Sequence, residues 1–397
     1  MLKCHILGEK AMQVVTLLHK VIKKSCPFIH SKRLTSLLSA ADSLLNHGKL
    51  TLSSLGRHLK GKAKVKNKIK KIDRLIGNPY VMHERIDYYK TIAINTIGNR
   101  KEITIIVDWS PCANRNNHIL RASLASKQRS ITLYEEVYPE NKQNTYKAHK
   151  KFLKNLKNII PKDINVLIVT DAGFHTDWFK LVLSHKWNFE GRIRNNHQYS
   201  IDDGENWNKC KSLYKNATNK IKYIGKVLLT KKTKLLCEMY LYKEISLKHK
   251  KYKRTGGNNV KRYKRVHKEP WLLVTSLLNK DKKGYWIVKQ YRLRMKIELE
   301  FRSNKNSKLG LGLNETGTLN PKRLEILLLI GALAMFSLWL IGLYAEKEKM
   351  QYFYQANTIK NRRVLSLIFL GLQIMMHNPK SINRQKLMKS LKLSWEH

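Results

Sequence analysis

Residues 291–305, YRLRMKIELEFRSNK, place one acidic side chain among several basic ones at helical spacing. An α-helix turns by about 100° per residue, so five of these side chains share one narrow face if the segment is a single helix. They are Tyr291, Arg294, Glu298, Arg302 and Lys305. A carboxylate can bind a metal ion, and the other side chains can bind phosphates. The alternative is a solvated face with i,i+3 and i,i+4 ion pairs. Glu300 points to the opposite side, so we expect its replacement to be mild.

The charge of the whole chain favours a polyanionic partner. Lys and Arg number 78 against 28 Asp and Glu, a formal net charge of +50. A folded protein with this imbalance repels itself unless a polyanion neutralises it. Nucleic acid is the favoured partner, and an acidic membrane surface is the competing one. Composition does not distinguish DNA from RNA.

Cysteine usage and short motifs exclude several classes of site. The five cysteines are scattered and form no C-x-x-C pair, which argues against a disulfide framework and a structural zinc site. They are Cys4, Cys26, Cys112, Cys210 and Cys237. We expect reduced thiols in a cytoplasmic protein, because residues 1–15 lack a secretory signal pattern. No G-x-x-x-x-G-K loop occurs, so we expect no nucleotide cofactor.

The uncharged run of 19 residues at Ile326–Tyr344 is just long enough to span a membrane. Basic segments lie on both sides of it, so it shows no positive-inside asymmetry. We therefore expect a buried core helix and no membrane partner. A membrane-associated protein is the alternative that this run alone would support.

The first 98 residues have the pattern of a helical region. Ser31–Asn46 has apolar residues at helical spacing, and Thr51 can cap a short helix that follows. Lys64–Ile76 is a strongly basic helix with Asp73 as its only acid. Such a helix suits DNA phosphates or the major groove, although a lysine-rich solvated helix has the same composition.

From residue 101 onward the pattern predicts strand, strand, strand, helix, strand, helix, strand. The predicted elements are 102–107, 119–126, 131–137, helix 147–160, 164–170, helix 178–185 and 189–194. This order matches the ribonuclease-H-like (RNase-H-like) fold, so the first and fourth strands should lie side by side. Asp108 and Asp171 directly follow those two strands. Both carboxylates should therefore lie at neighbouring strand ends, where sites in α/β sheets tend to form.

A β-rich insertion with a basic loop is predicted at 196–285. Its strands are Ile221–Leu229, Lys234–Tyr242 and Trp271–Ser276, and Lys248–Lys268 carries ten Lys or Arg and no acid. This loop is either a phosphate clamp or a solubilising loop, and DNA binding favours the clamp.

Asp108, Asp171 and Glu298 together supply the hard oxygen ligands that Mg²⁺ or Mn²⁺ requires. Two such ions can activate a nucleophile and stabilise the leaving oxygen of a phosphodiester.

The chain resembles the DDE transposases in the motifs VDWS at 107–110, TDAGF at 170–174 and the Tyr-x2-Arg-x3-Glu-x6-Lys arrangement at 291–305. In particular it is similar to the bacterial cut-and-paste insertion-sequence group with the YREK signature, the IS-four family, which includes the Tn-ten transposase. The segments RIRN, KEPW, GLGL and QANT add to the likeness.

The resemblance implies an α/β protein with an RNase-H-like catalytic core, a β-rich insertion, a helical N-terminal DNA-binding domain and a helical C-terminal region. The expected regions are 1–98 (DNA-end binding), 99–195 (core, first part), 196–285 (insertion), 286–345 (core, second part, with the Glu298 helix) and 346–397 (C-terminal).

The resemblance also implies roles for individual residues. Asp108, Asp171 and Glu298 would be the catalytic metal ligands for two Mg²⁺ ions, with Mn²⁺ able to substitute. The expected DNA-binding residues are Tyr291, Arg294, Arg302, Lys305, Trp271, Arg192 and Arg194. Trp271 would stack on a flipped base, and its alternative is a strand core residue.

The implied reaction nicks one strand, forms a hairpin by attack of the 3′-hydroxyl, opens the hairpin and joins the 3′ ends to target DNA. The partners would be double-stranded DNA and a second copy of the chain in the DNA complex, at the nucleoid in the cytoplasm. The competing function is that of a non-catalytic DNA-binding protein.

Overall fold

A ten-stranded mixed sheet lies at the centre of the computed structural model, with helices packed around it. The structure describes residues 15–46, 48–113, 116–126, 129–195, 197–244, 269–277, 284–306, 310–377 and 382–393. The strands are β1 (Glu102–Pro111), β2 (Asn117–Leu124), β3 (Ile131–Pro139), β4 (Asn165–Thr170), β5 (Asn188–Ile193), β6 (Gln198–Ser200), β7 (Asn208–Lys209), β8 (Lys222–Leu229), β9 (Leu235–Tyr242) and β10 (Trp271–Thr275).

The α-helices flank this sheet and form the regions before and after it. Residues 15–25 are helical. The later helices are α1 (Ser31–Leu45), α2 (Leu52–His58), α3 (Val65–Ile76), α4 (Pro79–Ile97), α5 (Tyr146–Ile159), α6 (Thr176–Ser184), α7 (Gly284–Arg292), α8 (Met295–Lys305), α9 (Pro321–Lys347), α10 (Leu367–His377) and α11 (Arg384–Leu393).

The order of strands in the sheet is β3-β2-β1-β4-β5-β10-β9-β8-β6-β7. β1 pairs antiparallel with β2 and parallel with β4, and β5 continues the sheet parallel to β4. This confirms the expectation that the first and fourth strands are neighbours. Their interiors are apolar and β-branched, as suits strands covered on both faces.

The first strand is longer than its apolar run predicts. β4 ends at Thr170, opposite Val107, whereas β2 continues to pair with β1 as far as Pro111. Asp108 therefore lies within β1, at the first position beyond its parallel pairing. Backbone bonds to β2 extend the strand through polar residues that have no apolar signal.

The strands of the predicted insertion join the same sheet. β10 pairs antiparallel with β5 on one side and with β9 on the other, and β8 follows β9. The insertion therefore extends the sheet directly. The basic loop predicted at Lys248–Lys268 lies outside the described residues.

The apolar segment predicted as a core helix forms α9. By length and composition this helix is able to cross a membrane, but 89% of its apolar window is buried inside the protein. It packs against β3, α1, α4, α10 and α11. Gly342 and Gly371 allow α9 and α10 to approach closely, because a Cβ on either would lie 2.0 Å from a backbone oxygen of the other helix.

The N-terminal helices are attached to this central helix. α1 packs on α9, and the backbone N–H of Leu50 donates to the carbonyl of Leu311 at 2.8 Å. Thr51 caps α2 by accepting from the backbone N–H of Ser54, as predicted. An ion pair between Arg323 and Asp73 links α9 to α3. The domain limits given above stay predictions.

Candidate active site

Asp108 and Asp171 lie where the parallel pairing of two neighbouring strands ends. They are the next residues after Val107 and Thr170, the last residues paired between β1 and β4. The backbone N–H of Trp109 donates to Asp108 Oδ1 at 2.8 Å, and that of Gly173 donates to Asp171 Oδ1 at 2.8 Å. These local bonds fix the orientation of each carboxylate. The sheet therefore brings together two acids that are far apart in sequence.

The environment of Asp108 disfavours its negative charge. Burial, followed by the charge of Asp171, raises the pKa of Asp108 to about 7, although Arg294 acts in the opposite direction. Two carboxylates that share a partly desolvated site cannot both ionise without cost. A strong perturbation of this kind by burial and a specific charged partner is a mark of functional sites.

The segment 291–305 is divided between two helices, so the single continuous face predicted from its sequence is wrong. α7 ends at Arg292 and α8 begins at Met295. The connection uses i→i+3 bonds, from the backbone N–H of Arg294 to Tyr291 O at 3.0 Å and from that of Lys296 to Leu293 O at 2.9 Å. This tighter turn rotates α8 relative to α7. Tyr291 is therefore in the last turn of α7, whereas Glu298 lies on α8.

Arg294 links the acids of the strands to the acid of the helix. Its Nη1 lies 3.6 Å from Asp108 Oδ2, and its Nη2 lies 2.7 Å from Glu298 Oε1. Burial lowers the pKa of Arg294, but interactions with Tyr291, Glu298, Asp108 and Asp171 outweigh it and raise that pKa. Arg294 thus bridges two of the three predicted carboxylates, Asp108 and Glu298. The Glu298 side chain is 41% exposed, so it is more accessible than Asp108, whose side chain is 15% exposed.

Glu300 lies on the opposite side of α8, as predicted, but it is not a surface residue. It is 4% exposed and accepts hydrogen bonds from the hydroxyls of Ser130 and Thr132. Its Oε1 is also 3.9 Å from Nη1 of the fully buried Arg121. The expectation that Glu300 can be replaced with little effect is therefore corrected, because its loss would leave buried polar groups without a partner.

The two predicted DNA-binding cations of α8, Lys305 and Arg302, differ in their surroundings. Lys305 Nζ donates to Ser110 Oγ at 2.6 Å and to the carbonyl of Pro111, which ties the end of α8 to the end of β1. Burial lowers the pKa of Lys305 to about 8. Arg302 is exposed. Of this pair, Arg302 is the more accessible to a bound phosphate.

Tyr291 and Trp271 pack against each other at the edge of a small apolar cluster. Their ring centroids are 4.9 Å apart, and Trp271 also contacts the ring of Tyr242 at 5.8 Å. Tyr291 is 5% exposed, and burial raises the pKa of its hydroxyl. Trp271 is partly buried, which agrees with the core alternative noted for it. Contact of either residue with DNA stays a prediction.

Arg192 and Arg194 share one acidic partner. Glu269 Oε2 lies 3.1 Å from Arg192 Nη2 and 3.3 Å from Arg194 Nε. Arg192 is buried and also donates to the carbonyl of Pro270, whereas Arg194 is partly exposed. Arg192 therefore joins β5 to the start of β10, and Arg194 is the one with an accessible side chain.

Two further features, the position of His149 and a basic cleft, are visible in the structure and were not predicted from the sequence. His149 contacts the segments that follow both strand-end acids. A basic cleft of about 430 Å³ lies between α1 and α3, and no carboxylate lines it. Its cations are Lys32, Arg33, Lys70, Lys71 and Arg74. The run of bases on α3 signalled half of this cleft, whereas pairing with α1 requires the tertiary fold.

The donor chemistry of the site fits a divalent metal ion. Carboxylate oxygens are the ligands that Mg²⁺ and Mn²⁺ prefer. Within the described part of the chain, no three His, Cys, Asp or Glu side chains stand close enough to hold one ion. Glu298 is instead paired with Arg294. To bind the same ion as Asp108 and Asp171, the Glu298 carboxylate would have to leave the Arg294 guanidinium.

Comparison with known families gives one result for this chain. The family model described as "Transposase DDE domain" matches residues 101–335, which is more than half of the 397 residues. No curated protein matches the sequence. The matched region begins just before β1 and ends within α9, so it contains the three carboxylates and the strands that position them.

Proposed function

Because the chain belongs to the DDE transposase family, whose members are metal-dependent enzymes of DNA transposition, we propose that it moves an insertion sequence by cut-and-paste. It binds the inverted-repeat ends, cuts them, and joins the 3′ ends to target DNA. The finer resemblance to the IS-four family with the YREK signature supports this assignment. The observation that carries it is the placement of Asp108 and Asp171 just beyond the paired parts of two neighbouring strands, with Arg294 bridging Asp108 and Glu298.

Asp108, Asp171 and Glu298 are proposed to hold two Mg²⁺ ions, with Mn²⁺ able to substitute. When bound, such ions activate an attacking oxygen and stabilise the leaving oxygen of a phosphodiester. The protein contributes the rest of the site. β1 and β4 hold two carboxylates at fixed strand ends, and α8 supplies the third from a more accessible position. Arg294 is then available to a DNA phosphate, to which a guanidinium can donate two parallel hydrogen bonds.

Cleavage in this proposal proceeds by two kinds of attack on phosphorus. Water first displaces a 3′-hydroxyl at the end of the insertion sequence. That hydroxyl then attacks a phosphorus of the opposite strand and displaces the 3′-oxygen of the flanking DNA, which forms a hairpin. A second water attacks the same phosphorus, displaces the 3′-hydroxyl of the insertion-sequence end and so opens the hairpin. The freed 3′-hydroxyl finally attacks target DNA and displaces a 3′-oxygen there. Stacking of a flipped base on Trp271 would stabilise the sharp bend of the hairpin, with base–aromatic stacking typically worth about 1–3 kcal/mol.

Two surfaces support binding of double-stranded DNA by this protein. Near the carboxylates, Arg302 and Arg194 are accessible cations. At the N-terminal region, the basic cleft gathers five cations between two helices, and one of them, Arg33, is paired with the carboxylate of Glu84. The acids nearby are already engaged, because Asp42 pairs with Lys60, Asp73 with Arg323 and Glu84 with Arg33. We assign the cleft to DNA phosphates and residues 1–98 to end binding.

The assembly and location follow from the same proposal. Two inverted-repeat ends must be cut together, which favours a homodimer in the DNA complex. Action on chromosomal DNA favours the nucleoid within the cytoplasm. The same proposal treats residues 99–195 and 286–345 as an RNase-H-like core, 196–285 as its β-rich insertion and 346–397 as the C-terminal region.

Glu298→Gln tests the catalytic assignment. DNA carrying the insertion-sequence ends would be incubated with Mg²⁺ or Mn²⁺, and nicked strands and hairpins separated on denaturing gels. We expect cleavage to fall by at least about 100-fold with end binding retained, since changes around metal ligands alone typically cost 10–100-fold.

Glu315→Gln is the matched control. Glu298 and Glu315 each lie 2.7 Å from a cation, Arg294 or Lys49, and their side chains are 41% and 38% exposed. Equal loss of cleavage from both substitutions would contradict the role of Glu298. Absence of metal-dependent nicking by the wild-type protein on its own flanking ends would favour the non-catalytic DNA-binding protein.

A further inference from the structure

The side chain of Trp109, the residue next to Asp108, is held by a histidine from a separate helix. Trp109 Nε1 donates a hydrogen bond to His149 Nε2 at 3.3 Å. His149 lies in the first turn of α5, whose N-terminus is capped by Thr145. Through its backbone N–H, Trp109 also donates to Asp108 Oδ1. His149 is thus connected to one strand-end acid through a single residue.

The same imidazole contacts the segment that follows the second acid. Its ring stacks on Phe174 with centroids 5.4 Å apart and meets Trp178 edge-on at 4.9 Å. Phe174 belongs to the turn in which Asp171 accepts from Gly173. Phe174 and Trp178 also contact each other at 4.7 Å. The Asp171 turn therefore rests on His149 through an aromatic contact.

The hydrogen bond from Trp109 requires an imidazole that is neutral at Nε2. Burial, and then the charge of His175, lower the pKa of His149 to about 4. His149 is therefore neutral near pH 7, with Nε2 free to accept.

From this geometry we infer that His149 is a positioning residue, which sets the spacing of Asp108 and Asp171 by holding Trp109 on one side and Phe174 on the other. This inference rests on the proposed function, since the two carboxylates are the proposed metal ligands. Like charges at neighbouring strand ends repel, so a support that contacts both following segments resists their separation. His149 does not touch the reacting atoms.

Three substitutions separate the hydrogen bond from the packing. His149→Phe keeps an aromatic ring against Phe174 and removes the acceptor. His149→Gln places an amide oxygen where it can accept from Trp109 Nε1 and serves as the conservative rescue. Phe152→Leu is the structural control, because Phe152 is a fully buried residue of the same helix that packs on Tyr134 at 5.3 Å and makes no ring contact with Trp109 or Phe174.

The main measurement is the Mn²⁺ affinity of the full-length protein without DNA. Electron paramagnetic resonance reports the concentration of free Mn²⁺ and so gives this affinity. Thermal unfolding without metal reports stability in parallel. We expect His149→Phe to weaken Mn²⁺ binding about tenfold, as typical for residues that orient ligands, and His149→Gln to recover most of it. Phe152→Leu should lower the unfolding temperature and leave Mn²⁺ affinity within about twofold of the wild type.

Two outcomes would overturn the inference. One is wild-type Mn²⁺ affinity in His149→Phe, and the other is a loss of affinity in Phe152→Leu that matches its loss of stability. A wild-type protein that binds no Mn²⁺ and cuts no DNA would instead reject the proposed function itself. The two failures are therefore distinguishable in one set of measurements.

Discussion

Asp108 combines two properties that oppose each other in a folded protein. Its side chain is only 15% exposed, and it lies close to a second carboxylate. Both conditions favour the protonated form, and Arg294 offsets them only in part. A site that must gather negative charge for function therefore weakens the fold that contains it, as is common at active sites.

Asp108→Asn should raise the stability of the DNA-free and metal-free protein at pH 8. The pKa of Asp108 is about 7 in the folded protein and the ordinary 3.8 in the unfolded chain, so the unfolded chain loses its proton first as pH rises. In the wild type, the contribution of protonated Asp108 to the free energy of unfolding is present at low pH and is lost as pH rises from about 4 to about 7. Asn removes this loss, which amounts to at most about 4 kcal/mol at about 1.4 kcal/mol per pKa unit.

Urea unfolding at pH 5 and pH 8 measures this difference. The gain from Asp108→Asn should be larger at pH 8 than at pH 5, and cleavage should be abolished at both. A variant that is less stable than the wild type at pH 8 would contradict the electrostatic origin of the effect.

The sequence reveals some residue-level features of this site and conceals others. Helical spacing correctly separates Glu298 from Glu300, because that relation is local. The pairing of Arg294 with Asp108 joins residues on different elements, so no local pattern contains it. The contact of His149 with Trp109 is hidden for the same reason.

At the scale of elements, strands are easier to predict than the break between helices. β-branched apolar runs mark β1 and β4 and place an acid after each. The break between α7 and α8 has no Pro or Gly to signal it, so its sequence shows uninterrupted helical spacing. The break is visible only in the structure, as backbone i→i+3 bonds around Leu293 and Arg294.

Gly342→Ala should destabilise the protein through the contact of α9 with α10. A Cβ there would lie 2.0 Å from the carbonyl oxygen of Leu367, so the helices must move apart. We expect a loss of about 2 kcal/mol or more in the free energy of unfolding, since overpacking in a buried contact typically costs about 1–3 kcal/mol.

Gly331→Ala on the same helix is the control. Its nearest neighbour is the flexible end of the Leu50 side chain at 3.2 Å, and alanine favours helix over glycine. Gly331→Ala should therefore be close to neutral in urea unfolding. If both substitutions cost the same, the close approach of α9 and α10 would not be the cause.

At the scale of the whole molecule, the net charge of +50 includes a local group of cations in the basic cleft. The basic cleft faces solvent with Lys70 and Lys71 exposed on α3. Composition predicted a polyanionic partner, but not which cations form a common surface. That information depends on how α1 packs against α3.

Lys70→Ala with Lys71→Ala should weaken binding of the ends and reduce its salt dependence. Each phosphate contact contributes about 0.9 to the slope of log Kobs against log salt, so the slope should fall by up to about 1.8. Fluorescence anisotropy with labelled end DNA would measure this slope. The salt concentration would run from about 50 to about 300 mM, because DNA binding changes strongly over roughly this range.

Lys66→Ala with Lys68→Ala removes the same charge from the same helix, outside the residues that line the basic cleft. This control should change the slope by less than about half as much. Equal changes for the two pairs would assign DNA binding to overall charge and would contradict a specific role for the cleft.

The packing of α1 on α9 also has a consequence for synthesis of the protein on the ribosome. The N-terminal helices lack a large part of their apolar contacts until residues 321–347 have been made. Arg294 and Glu298, which complete the site around Asp108, are likewise made only after about three quarters of translation, on the count of 298 in 397 residues. Early folding of the N-terminal part, common in multidomain chains, is therefore disfavoured. A translation product that stops before α9 carries neither a packed N-terminal region nor the core helix, so abortive synthesis does not release an active DNA-cutting fragment.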